Sequence, residues 1–164
     1  MGPRLDYRNA APEALRAMAG LQRFTHDCGL EASLQELVKL RASQLNGCAY
    51  CLDMHSKDAR AAGETEQRIY LLSAWREAPF YTPRERAALA WTEAVTLIGE
   101  GGASDELFRE ARAHFTDAEL VNLTMAVITI NGWNRLAVSF GADVGSYQRP
   151  QTHTDEAHAS PPAA

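Results

Sequence analysis

Three cysteines in 164 residues are too few, and odd in number, for the disulfide framework of a small secreted protein. No apolar run approaches the ~18–20 residues that cross a membrane. The opening residues, Met1 to Arg8, hold no apolar signal region. A basic excess is missing too: the formal net charge is -5, and non-specific nucleic-acid binding wants a basic face. These absences lead to the expectation of a soluble, cytoplasmic protein with neither membrane nor nucleic acid among its partners. Strand alternation between hairpin turns is also absent, and so is any internal repeat. Val127-Ile128-Thr129-Ile130 is β-branched, but it lies inside a longer helical pattern. The length suits one domain with a real apolar core.

What is there reads almost entirely as helix. Pro12 suits a first helical position, and the pattern from it runs to about Asp27, ended by Gly29. A second helix is expected over about 32–45, with Leu34, Leu37, Val38, Ala42 and Leu45 on one stripe. Asn46-Gly47 is a strong break. A third opens near Cys48 and ends at Gly63, a C-cap candidate, and a fourth covers about 66–76, before Pro79. Thr82-Pro83-Arg84-Glu85 is a capping box with proline at the first helical position and starts a fifth, to about Ile98. Ser104 caps a sixth, to about Phe115. Thr116-Asp117-Ala118-Glu119 is a second capping box and opens the longest apolar stretch, ending near Phe140-Gly141. The fold expected is all-α: a single-domain bundle of about six to seven helices over residues 1–147. From about residue 148 the chain is rich in Pro, Ala, His and Thr with no apolar stripe, and a disordered tail over 148–164 is expected.

The chemistry concentrates between Glu36 and His55. Cys48 and Cys51 are three apart at a helix start, so their sulfurs can meet. His55, four beyond Cys51, shares their face. A helix N-terminus favours negative charge and raises the thiolate fraction. A nearby imidazole can accept or relay the proton. A thiolate so placed can attack a peroxide and become a sulfenic acid, which the second cysteine resolves to a disulfide. In a reducing compartment the alternatives are zinc, held by Cys48, Cys51, His55 and Cys28, or plain buried cysteines. A c-type haem needs histidine directly after the second cysteine, where Leu52 stands.

Spacing alone leaves Glu36 open between a solvated surface charge and a base. Twelve helical residues would set it about 18 Å from Cys48, but the Gly47 turn folds the chain back and can bring it to His55. Asp53 suits the helix dipole. Cys28 reads as a small buried hydrophobe, and Trp75, Trp91 and Trp133 as core or subunit interface. His26 and His114 read as surface or boundary residues, and His153 and His158 fall in the tail. Asn131, Asn134 and Arg135 are unusual in so apolar a helix. They either satisfy each other or pair with an acidic group near the site.

At these residues the sequence resembles the alkylhydroperoxidase AhpD-like branch of the carboxymuconolactone decarboxylase family. The pattern is Glu36, eleven residues, Cys48-x-x-Cys51, three residues, His55. Pro83-Arg-Glu-Arg-Ala-Ala-Leu-Ala-Trp-Thr-Glu93 and Ile130-Asn-Gly-Trp-Asn-Arg135 are similar too, and the likeness covers about residues 5–145. The resemblance implies an all-helical homo-oligomer, a trimer or a hexamer, that reduces peroxides with its dithiol and needs no bound cofactor or metal. It implies a dithiol reductant, a lipoyl-bearing or thioredoxin-like protein, and a Glu36–His55 proton relay. Peroxide attack goes to Cys51, with Cys48 resolving, while helix geometry by itself favours the earlier thiol. The pattern departs from the best-known AhpD enzymes twice. Tyr50 stands where they have a histidine, and the motif lies in the first half of the chain rather than the second.

Overall fold

The structure, a computed structural model, describes residues 2–149. Residues 150–164, most of the expected tail, lie outside it. The described residues form eight α-helices and no strand: α1 Tyr7–Ala10, α2 Pro12–Asp27, α3 Ala32–Leu45, α4 Ala49–Ala61, α5 Glu66–Leu71, α6 Pro83–Thr96, α7 Asp105–Arg112 and α8 Asp117–Phe140. The seven helices expected are all present. The one unforeseen is α1, four residues capped by the Asp6 side chain, too short to show a period. The fourth expected helix is shorter than its pattern: α5 stops at Leu71 and tightens into a 3-10 turn at Leu72–Ala74. The expected α7 likewise stops at Arg112, short of Phe115.

Both predicted capping boxes form. Thr82 and Thr116 accept from the backbone of Glu85 and Glu119, and each glutamate returns a bond to the cap backbone. The long α8 ends at Gly141, whose φ of 69° is the left-handed cap that glycine adopts without penalty.

The bundle is organised around α3, which packs against α4, α6 and α8. Leu37 and Val38 are fully buried. One apolar cluster joins α3, α6, α7 and α8 through Leu34, Val38, Trp91, Ala111 and Leu123, with Phe115 beyond the end of α7. A second joins α3, α4 and α6 through Leu37, Leu40, Ala59, Trp75 and Leu89. A third, smaller cluster holds Ala42, Cys48, Cys51, Ile130 and Ala137, so the cysteines sit where α3, α4 and α8 meet. Polar side chains on α3 must find partners in so dry a place, and they do: Gln35 donates to the Leu30 carbonyl at 3.1 Å.

Helix α2 lies along the outer side of α8. Met18 comes so close to Gly132 that a Cβ there would stand 2.8 Å from its terminal methyl. Trp133 Nε1 donates to Gln22 Oε1 at 3.0 Å. The extended N-terminus is tied to the end of α8 by Arg4 N to the Phe140 carbonyl (2.8 Å) and by Tyr7 against the Phe140 ring. In the single chain Val121, Ile128 and Val138 of α8 are roughly half exposed or more.

Because α3 is the shared wall of two clusters, truncating it should be costly. Leu37→Ala is expected to lower unfolding free energy by about 2–5 kcal/mol in urea titration, the usual range for a fully buried leucine. A loss under about 1 kcal/mol would mean that α3 is not the central wall.

Candidate active site

The turn at Asn46-Gly47 builds the site. Gly47 takes φ 63°, and Cys48 N donates back to the Ser43 carbonyl at 3.0 Å. The chain thereby reverses from α3 into α4 within three residues. Cys48 becomes the N-cap of α4, and its Sγ accepts the Cys51 N–H at 3.4 Å. Cys51 lies in the first turn, and the two Sγ atoms are 2.6 Å apart. A disulfide measures about 2.05 Å, so little movement separates dithiol from disulfide. Both cysteines are almost wholly buried.

The reversal also returns His55 to α3. Its Nδ1 lies 2.9 Å from Glu36 Oε2, and His55 is buried. Glu36 is therefore no solvated surface charge. Its other oxygen accepts from Lys39 Nζ at 2.7 Å. Burial pushes the Glu36 carboxyl up, but the hydrogen bond and charge of His55, with those of Lys39, outweigh it and hold it below the usual range. An ionised Glu36 requires the proton on Nδ1 and leaves Nε2 as the basic nitrogen of the neutral ring. Nε2 has no hydrogen-bond partner among the described residues, where no sealed side-chain nitrogen or oxygen lacks one.

A cavity of about 410 Å³ opens over this group. Cys51, His55, Glu36 and Lys39 line it, with Tyr50, Met54 and Trp133 as apolar wall and Tyr7 and Arg8 of α1 at its side. The volume is that of a small-molecule site. Cys48 is not among the lining residues.

The two thiols are electrostatically unequal. The two sulfurs share a proton, and this bond, with the Cys51 backbone N–H and the Asn134 amide, lowers Cys48 to about 7 against the opposing effect of burial. Cys51 is pushed up by that same bond, by burial and by the charge of its partner. The pair behaves as one acid that loses its first proton easily and its second with difficulty.

The four residues singled out in the sequence, Glu36, Cys48, Cys51 and His55, thus come together. Cys28 does not join them. It caps α2, donates to the Thr25 carbonyl at 3.0 Å, and packs against the cluster of α3, α6 and α8. Among the described residues, no three His, Cys, Asp or Glu side chains converge as metal ligands. Trp75 and Trp91 are core, while Trp133 faces the cavity. Sequence reasoning missed Lys39, whose signal was its place one turn beyond Glu36. It also missed α1 and the partners of the α8 asparagines, Ser43 and Asn46.

Comparison with known proteins bears on the whole of this geometry. The profile of the carboxymuconolactone decarboxylase family matches residues 11–94, just over half the chain. The chain belongs to that family, in its AhpD-like branch. It is 43% identical over 141 residues to the uncharacterised protein YdfG of Bacillus subtilis (strain 168), spanning 86% of this chain and 96% of that one. A crystal structure of a protein of unknown function from Agrobacterium tumefaciens, assigned provisionally to the antioxidant defence protein AhpD, superposes with TM-score 0.84 at 48% identity. It covers 92% of this chain and 100% of its own. The debrominase Bmp8 superposes with TM-score 0.75 at 18% identity, over 84% of this chain and 74% of that one, a likeness of fold alone. This fold is thus shared by proteins named for antioxidant defence, decarboxylation and debromination.

One thiolate of the pair should appear as pH rises through about 7, since a lowered thiol is ionised above its own value. Thiolate ultraviolet absorbance of the reduced protein, compared with a Cys48→Ser/Cys51→Ser variant, reads this directly. Onset only in the ordinary thiol range, about 8.5, would contradict the geometry.

Proposed function

We propose that the protein is a thiol-dependent peroxidase in which Cys48 and Cys51 form the redox dithiol and Glu36 and His55 move the proton. The observation that carries this is the Glu36–His55 hydrogen bond placed beside Cys51 at the wall of a substrate-sized cavity. Cys51 faces the cavity and is the attacking thiol. Cys48, with its lowered proton affinity, holds the negative charge of the pair at rest.

In the reaction, His55 Nε2 takes the proton of Cys51 as its sulfur attacks the peroxide. The S–O bond forms, the O–O bond breaks, and the protonated imidazole gives its proton to the departing alkoxide. Cys51 is left as sulfenic acid. The Cys48 thiolate attacks that sulfur, the disulfide closes, and the S–O bond breaks to release hydroxide, which takes from solvent the proton that Cys48 had earlier given up and becomes water. Two electrons pass from the dithiol to the peroxide, yielding one alcohol and one water. A dithiol reductant, a lipoyl-bearing or thioredoxin-like protein, returns the pair to the reduced state. Glu36, fixed by Lys39, holds the imidazole in its useful tautomer and stabilises the imidazolium.

The assembly is proposed as a homo-oligomer, a trimer or hexamer. Val121 and Ile128 lie two turns apart on the exposed side of α8, and Phe24 is exposed on the neighbouring α2. These are large apolar groups that a partner copy would cover. Light scattering is expected to give a multiple of the 18.0 kDa chain mass; a monomer at micromolar concentration would contradict it.

Glu36→Gln and His55→Gln should each slow peroxide-driven disulfide formation by ~100–10,000-fold, the span of general acid–base groups. Because the two act as one relay, the double variant should be barely slower than the slower single variant. Stopped-flow measurement of thiol loss decides it. Unchanged rates in Glu36→Gln would remove the carboxylate from the mechanism, and multiplying losses would mean that the two residues act separately.

A further inference from the structure

Beside the cysteines, and not among the residues that line the cavity, α8 carries Asn131 and Asn134, buried and joined to Asn46 of the turn. Amide oxygens and nitrogens are told apart by their partners, and here the partners leave no freedom. Arg135 can only donate, and Nη1 does so to Asn131 Oδ1 at 2.8 Å. The Val127 carbonyl can only accept, and it takes Asn131 Nδ2 at 2.9 Å, whose other hydrogen goes to Thr96 Oγ1 at 3.0 Å. Asn46 Nδ2 must then be the donor to Asn131 Oδ1, and its second hydrogen goes to Asn134 Oδ1, both at 2.9 Å. The polarity passes to Asn134, which must turn its NH2 away from Asn46.

One hydrogen of that NH2 is used. Asn134 Nδ2 donates to Ser43 Oγ at 3.0 Å, and Ser43 is the residue whose carbonyl holds Cys48 N. The second hydrogen has no oxygen acceptor among the described residues. Asn134 sits between Ile130 and Ala137 on the face of α8 that packs on both cysteines. We propose that this second N–H is aimed at the sulfurs of Cys48 and Cys51 and serves as the fixed donor that stabilises their thiolate. The chain from Arg135 and Val127 through Asn131 and Asn46 exists to hold the amide in that sense. The electrostatics agree, since the Asn134 amide lowers the proton affinity of both thiols.

The role differs from that of Glu36 and His55. They line the cavity and manage the proton, whereas Asn134, which does not line it, stabilises the charge left behind. A preorganised donor aimed at a buried anion costs no reorganisation when the charge appears. The other ionisable groups around the pair are Glu36 and Lys39 from α3, Tyr50, His55 and Asp58 from α4, and, across the cavity, Tyr7 and Arg8 from α1 and His26 from α2. Helix α8 presents no ionisable side chain to the cavity. The significance of Asn134 for peroxide reduction rests on the dithiol reading above, but thiolate formation is measured with no peroxide present.

The test is the pH dependence of thiolate absorbance in the reduced full-length protein and in two variants, with melting temperature recorded alongside. Asn134→Asp keeps the shape and the bond accepted from Asn46, leaves Ser43 Oγ to donate rather than accept, and replaces the donor facing the sulfurs with an anionic acceptor. It should raise the pH of thiolate formation by at least one unit, a tenfold or greater loss of thiolate at neutral pH. Asn46→Ala touches neither sulfur. By freeing the Asn134 amide to turn over, it should move the titration in the same direction by several-fold. A packing role alone would lower the melting temperature and leave the titration in place. Wild-type titration in either folded variant overturns the proposal. Should Asn134→Asp fail to fold, Asn46→Ala decides alone. A normal shift in a protein that no peroxide oxidises would uphold the donor and defeat the peroxidase reading.

Discussion

The hydrogen bond between His55 Nδ1 and Glu36 Oε2 joins residues nineteen apart, and it forms only because α4 doubles back on α3. The reversal takes three residues, and Gly47 supplies the positive φ it needs. The same turn makes Cys48 a helix cap and sets Cys51 third in the helix. It also lets Asn46 reach α8. Cap, sulfur pair, Glu36–His55 bond and buried amide chain are therefore consequences of one backbone event. Its stability comes from the apolar clusters on either side of α3.

The site is expensive to bury. Lys39 and His55 both lean on a single carboxylate whose side chain is only 18% exposed. Desolvating such a group costs several kcal/mol before its partners offset it. Removing one partner of such a buried cluster typically costs 3–5 kcal/mol, so substitutions at Glu36 need the amide-for-acid exchange rather than truncation. The amides of Asn46, Asn131 and Asn134 carry the same constraint in neutral form. Each hydrogen must find an acceptor in low dielectric, and a half-satisfied network would be worse than an apolar core.

Much of this was legible in the chain. Pro12, the two capping boxes and the Asn46-Gly47 break marked helix starts and ends because they act through local backbone chemistry. Spacing placed Cys48, Cys51 and His55 on one face, and the structure brings them together. Glu36 was different: its meeting with His55 depends on how α3 packs on α4, which no local pattern encodes. Lys39 reads in sequence as one more solvated charge, and only the burial of α3 turns it inward. The α8 asparagines stood out as polar residues in an apolar run, and of the two readings the structure selects mutual satisfaction. Their partners on the turn were hidden by a separation of more than eighty residues. Helix α1 is held by Asp6 and by contact with the end of α8, so its sequence shows no period of its own.

The fold hosts more than one chemistry among its relatives, so the dithiol itself is the place to decide. Reduced protein should be mixed with one equivalent of tert-butyl hydroperoxide and no added thiol, and alcohol and cysteine states counted together. The account predicts one alcohol released for each Cys48–Cys51 disulfide formed, with Cys28 still a free thiol by mass mapping. Peroxide left intact beside a reduced pair, or a disulfide that includes Cys28, would contradict it.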